Sequence, residues 1–128
     1  MENIYQYIKD HASTPSEALA WVEKQTHIRT NHARMLSGAV QGQIMRMLVQ
    51  LSGASRILEL GTFTGYSAIC LASAMPEGGH LDTLEINDEL EDLISMHSAY
   101  HDTLKGNGYL DELMRRVNTL PIKGVGVK

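Results

Sequence analysis

One stretch constrains the fold of this chain more than any other: RILELGTFTGYSAICLA, residues 56–72. RILEL is short, apolar and bounded by Gly53 and Gly61, the pattern of a parallel strand buried on both faces. TGYSAICLASAM has helical spacing, and PEGG ends it with Pro76, Gly78 and Gly79. HLDTLEI reads as a second strand, and NDELEDLI opens a further helix with Asn87 as cap and acids in its first turn. Strand, helix, strand, helix with short links predicts a parallel α/β sheet with flanking helices. In such a sheet a ligand sits beyond the C-terminal ends of the strands, which here are Gly61 and Glu85.

The chemistry of the turn narrows the ligand. A dinucleotide turn needs G-x-G-x-x-G, so that the backbone can close on an anionic pyrophosphate. This turn reads E-L-G-T-F-T-G, with Glu59 where the first glycine belongs. A carboxylate there repels a diphosphate and suits a cation. S-adenosylmethionine carries a sulfonium and an ammonium and no phosphate, so the acidic turn favours it over NAD or ATP. Glu85 is placed to accept hydrogen bonds from both ribose hydroxyls. A phosphate-binding P-loop is excluded, because no G-K-[ST] follows the glycines. The plain alternatives are a satisfied strand-end carboxylate for Glu59 and a solvated loop acid for Glu85.

Upstream, Ile4, Tyr7 and Ile8 share one face of a first helix. STPSEALAWVEKQ begins a second, with Thr14 as cap, Pro15 in the first turn and Glu17 at capping-box spacing. Leu19, Trp21 and Val22 supply its packing. THIRTNHARMLSG is polar and reads as a loop. AVQGQIMRMLVQLSGA then sets Val40, Ile44, Met47, Leu48 and Leu51 on one stripe, predicting an inward-facing helix that Gly53 closes. Met35, Met45 and Met47 read as gap-filling core.

At 128 residues, 43% hydrophobic and 20% charged, the sequence suits one modest core, residues 1–128, with N-terminal helices over 1–30. A net charge of −4 argues against nucleic acid or an anionic membrane as the main partner. No apolar run approaches membrane-spanning length, and MENIYQYIKD has neither the basic patch nor the apolar core of a signal peptide. The single cysteine, Cys70, reads as a small buried hydrophobe and allows no internal disulfide, so a cytoplasmic location is expected.

The run MLSGAVQGQIMRMLVQLSGASRILELGTFTGYSAICLASAMPEGGHLDTLEIN resembles the cation-dependent O-methyltransferases of caffeoyl-CoA and catechol type. The likeness spans roughly residues 25–95, and E-L-G-T-F-T-G-Y-S is specific to that family. It implies a Rossmann-like class I methyltransferase fold, incomplete in this chain, that transfers a methyl group from S-adenosylmethionine to a hydroxyl of a small phenolic or catechol-like acceptor. By matching positions, Glu59, Gly61 and Thr62 line the methionine end of the cofactor and Ser67 adds a hydrogen bond. Glu85 holds the ribose, and Ser37 touches the cofactor from the N-terminal side. The N-terminal helices resemble those that cover the active site in this family, often in a homodimer.

The family also uses a divalent metal (Mg or Ca), held by an aspartate-rich D-x-D-K segment and an Asp-Asn pair. None of these motifs is present, so no metal ligand is assigned; His97 and His101 read as surface residues. YLDELMRRV reads as an amphipathic helix and VNTLPIKGVGVK as a final strand. Its L-P-I-x-x-G run resembles the family's closing strand, which implies that the middle of a longer protein is missing, with the join near residues 95–102. Two other functions stay open: a non-catalytic cofactor-binding or dimerisation piece, and a nicotinamide-binding oxidoreductase fragment, against which the missing first glycine argues.

Overall fold

The structure, a computed structural model, describes residues 3–90, 93–94 and 117–121. Three strands, β1 (Arg56–Leu60), β2 (His80–Glu85) and β3 (Val117–Pro121), form one sheet in the order β1-β2-β3, and both pairings are parallel. Helix α4 (Tyr66–Ala74) connects β1 to β2. The expected strand–helix–strand unit is therefore present. Gly61 extends its ladder, the Gly61 N–H donating to the Leu84 carbonyl at 2.9 Å.

Strand β3 departs from the sequence reading. The resemblance puts VNTLPIKGVGVK beyond strands that this chain lacks, yet Val117–Pro121 pairs directly with β2, Leu81 opposite Val117 and Glu85 opposite Pro121. The physical reason is that β2 has an open edge and a parallel neighbour needs only a crossover of about a dozen residues or more. Residues 86–116 are long enough to make it. The join assigned to 95–102, the helix read from YLDELMRRV, and His97 and His101 lie outside the described residues.

Helices α1 (Ile4–His11), α2 (Glu17–Arg29) and α3 (Gly38–Ser52) precede the sheet. Helix α2 starts later than its capping box suggests. Ser16, not Thr14, is its cap, its hydroxyl accepting from the Leu19 N–H at 3.3 Å, and Pro15 lies outside the helix. It also runs further, through Thr26–Arg29, because buried Thr26 bonds inside it instead of breaking it: its hydroxyl donates to the Val22 carbonyl at 2.7 Å. Leu19 and Val22 pack with Tyr66 and Cys70 of α4, as expected of them. The α1 residues Ile4, Tyr7 and Ile8 are exposed.

Helix α3 turns the other way from its apolar stripe. Its buried residues are Gly42 and Val49, while Ile44, Met47, Leu48 and Leu51 face outward. The reason lies in close packing. A Cβ at Gly42 would stand 2.8 Å from Cys70 Sγ and 3.2 Å from Tyr66 Cε1, so the small face is the one that lets α3 approach α4. Val49, Ala68, Ala72, Met75 and Leu81 then form a core between these helices and the sheet, with Ile57 packed against it. No helix among the described residues is long and apolar enough to cross a membrane.

Candidate functional site

The C-terminal ends of β1 and β2 meet at a turn that only unusual backbone angles allow. Gly61 and Gly65 have φ of 93° and 88°, and Phe63 between them has φ of 49°. The glycines occupy this region freely, whereas a phenylalanine there stores strain of about 1–2 kcal/mol. What holds it is Glu85. The Phe63 N–H donates to Glu85 Oε2 at 2.6 Å, and the Asn87 N–H donates to Oε1 at 2.9 Å. Glu85 is thus neither free nor merely solvated: it clamps the turn after β1 to the turn after β2.

Behind this clamp runs a chain of hydroxyls. Glu59 and Thr83 are register partners on β1 and β2, and Thr83 is fully buried. A threonine hydroxyl has one hydrogen and a carboxylate only accepts. Thr83 therefore donates to Glu59 Oε1 at 2.7 Å, and Thr62 donates to Thr83 at 2.6 Å. Burial pushes the Glu59 carboxyl above the usual carboxylate range. Hydrogen bonds from Ser67 and Thr83 oppose that push, and the charge of Glu85 adds to it. On the far side of the turn, buried Thr64 and Thr26 hydroxyls lie 2.9 Å apart and tie the turn to α2.

Two cavities open on this arrangement. A small one of about 50 Å³ is lined by Ser37, Gly61, Thr62 and Ser67 among others, and none of its lining residues is basic. A larger open one of about 660 Å³ is lined by Arg29, Asn31, His32, Phe63, Asn87 and Leu90 among others. Phe63 and Asn87 are the residues whose N–H groups hold Glu85. The six residues singled out from the sequence thus converge. Ser37, Gly61, Thr62 and Ser67 share the small cavity, Glu59 is linked to it through Ser67 and Thr83, and Glu85 holds the N–H groups of Phe63 and Asn87.

Sequence reasoning missed Thr83, the Phe63 N–H and the Thr26–Thr64 pair. The alternation of HLDTLE carried a signal for the first. Thr83 shares the inward face with Leu81, and a hydroxyl on a buried strand face needs a partner. Cys70 is as expected: buried, with its thiol pushed up by that burial to about 11. Among the described residues no three of His, Cys, Asp and Glu converge as they would around a metal ion.

A parallel sheet with an acidic glycine turn after β1 and a loop-clamping acid at the end of β2 fits, in part, the Rossmann-like class I methyltransferase fold of the solved O-methyltransferases that this chain matches. Comparison with known proteins gives the family. The sequence model described as O-methyltransferase matches residues 9–100, and the chain belongs to that family. It is 37% identical to caffeoyl-CoA O-methyltransferase 2 of Zea mays over 90 residues, 69% of this chain and 34% of the maize protein. Among solved structures, an O-methyltransferase from Bacillus cereus in complex with SAH matches at TM-score 0.72 and 28% identity, over 92% of this chain and 49% of the other. The O-methyltransferase TomG from Streptomyces achromogenes, in complex with SAM, matches at TM-score 0.72 and 27% identity, over 93% of this chain and 51% of the other. The chain thus spans about a third of the length of the maize relative.

Proposed function

We propose that this chain forms the cofactor-binding half of an S-adenosylmethionine-dependent O-methyltransferase acting on a hydroxyl of a small phenolic or catechol-like acceptor. The observation that carries the reading is the glycine turn, which lines a small cavity without a basic side chain, together with the two acids bonded around it, Glu59 through Ser67 and Thr83 and Glu85 through the Phe63 N–H. The names of the maize protein and of the two liganded structures point the same way.

The donor set fits the cofactor. When ionised, the Glu59 carboxylate attracts the cationic methionine end, and the hydroxyls of Ser37, Thr62 and Ser67 surround the small cavity that takes its terminal group. Each Glu85 oxygen accepts one backbone N–H, leaving a lone pair on each for a ribose hydroxyl. The larger cavity, at about 660 Å³, is within the range of about 300–1,000 Å³ that small-molecule sites occupy. When bound, S-adenosylmethionine supplies an activated methyl group. The chain's own contribution is then to hold donor and acceptor in line, the positioning effect that accounts for much of such rate enhancements. A divalent metal (Mg or Ca) has no fitting ligand set among the described residues, and no step is routed through one.

Calorimetry with S-adenosylhomocysteine and with NAD tests this reading. Binding of the first with no comparable binding of NAD is expected, and comparable NAD affinity would point to an oxidoreductase fragment. Glu85→Ala should weaken S-adenosylhomocysteine by roughly 1–3 kcal/mol, since the ribose hydroxyls lose their acceptor and the turn loses its clamp. An unchanged dissociation constant with intact circular dichroism would reduce Glu85 to a loop acid. A second reading is a cofactor-binding piece without turnover. Radiolabelled methyl transfer to catechols, with and without Mg or Ca, separates the two. Homodimerisation belongs to the same proposal, and light scattering checks it.

A further inference from the structure

We propose that Thr83 is a positioning residue of the cofactor site, its hydroxyl holding the Glu59 carboxylate and the Thr62 hydroxyl in the arrangement that receives the cationic end of the cofactor. The inference rests on the functional reading above and extends it to a residue that lines neither of the two cavities described. Thr83 is 0% exposed, so water cannot substitute for its bonds. It stands 2.6 Å from Thr62 Oγ1 and 2.7 Å from Glu59 Oε1, and its single hydrogen fixes the direction of both bonds. Donation to Glu59 favours the ionised carboxylate, the form that attracts a cation. Acceptance from Thr62 pins the first side chain after Gly61, next to the cavity. One buried hydroxyl thus sets the orientation of two groups on two different elements, the strand β1 and the turn that follows it.

A plain structural role is the competing account, because a buried hydroxyl in a strand needs partners whatever the strand does. The two accounts differ in what Glu59 has to do with it. Groups that face Glu59 are Ser67 and Cys70 of α4 and Glu85 and Thr83 of β2, and of these Thr83 and Ser67 are the hydrogen-bond donors to the carboxylate. If Thr83 acts through Glu59, its removal matters to binding only while residue 59 carries the charge.

The test is a double-mutant cycle in S-adenosylhomocysteine binding by calorimetry, on the full chain at neutral pH. Thr83→Val keeps the shape of the side chain and removes the donor. It should raise the dissociation constant by about tenfold or more, as loss of a hydrogen bond to a charged group does. Thr83→Ser should restore binding to near the parent value. In a Glu59→Gln background, Thr83→Val should add less than about a threefold further loss, because coupled sites are not additive. The same factor in both backgrounds, or an unchanged constant for Thr83→Val, would overturn the proposal. If Thr83→Val does not fold, Thr83→Ala removes the same donor with less bulk and is read in the same cycle. Failure of the parent chain to bind S-adenosylhomocysteine at all would instead refute the functional reading, so the two failures are distinguishable.

Discussion

The two faces of the sheet differ sharply. On one, Leu81 and Thr83 of β2 are fully buried, with Ile57 packed into the core that α3 and α4 complete. On the other, Leu58 and Leu60 of β1 are 64% and 76% exposed. Register partners make the contrast plain: Ile57 lies opposite Leu81 in the core, and Leu58 lies opposite Asp82 outside it. Helix α3 repeats the division, with Gly42 and Val49 inward and Leu51 79% exposed. Parallel sheets are ordinarily covered on both faces, so the described residues form one finished layer and leave the second bare. The candidate site sits on the finished side. Its hydroxyl chain is built from the inward residues Glu59 and Thr83, which explains how a well-bonded site coexists with an uncovered face.

The largest effect should come from the finished face. Leu81→Ala removes a fully buried side chain and should cost about 2–5 kcal/mol, read as a lower urea midpoint. A loss below 1 kcal/mol would mean that the two faces are not energetically distinct.

Next in size is Gly42→Ala. The added methyl collides with Cys70 Sγ, and overpacking costs about 1–3 kcal/mol, partly offset by about 1 kcal/mol of better helix propensity. The collision makes a sharper claim: adding Cys70→Ala should recover part of the loss. If the double variant is no more stable than Gly42→Ala alone, the α3–α4 approach is not what requires the glycine.

Glu59→Gln probes the finished face through pH. The Glu59 carboxyl is raised, so the folded state holds its proton more tightly than the unfolded chain does. Its contribution is full below the ordinary glutamate value of about 4.3 and is lost as pH rises through the higher folded value. Glu59→Gln should remove that slope, leaving the ligand-free fold slightly more stable than the parent at neutral pH while weakening S-adenosylhomocysteine. Urea midpoints measured at several pH values on both proteins check the sign; a parent curve that rises where the variant stays flat would reverse it.

The smallest effect should come from the bare face. Leu58→Thr leaves an exposed strand position occupied by a good strand former and should change stability by less than about 0.5 kcal/mol. A loss comparable to that of Leu81→Ala would show that something covers Leu58 in solution.

The local devices were readable in the sequence because each depends on neighbours a few residues away. Gly53 does close α3, and the break at PEGG does separate α4 from β2. The two strand-end acids lie where strand length and turn chemistry put them, and Asn87 does accept from the Glu89 N–H at 3.1 Å. Capping was less well determined, since Thr14 and Ser16 offer the same hydroxyl two residues apart and only packing of Leu19 and Val22 selects between them.

Tertiary structure decided three things that local pattern could not. It chose which side of α3 is buried, because an apolar stripe and a small-residue stripe have the same helical period and the tight approach of Tyr66 and Cys70 admits only the small one. It gave the tail its place beside β2, since any apolar strand can fill an open parallel edge and sequence alone does not say which edge is free. And it joined Glu59, Thr83 and Thr62, residues up to 24 positions apart in sequence, into one line of hydrogen bonds. Sequence fixes which groups a strand presents on each face; only the register of two strands decides which of those groups meet.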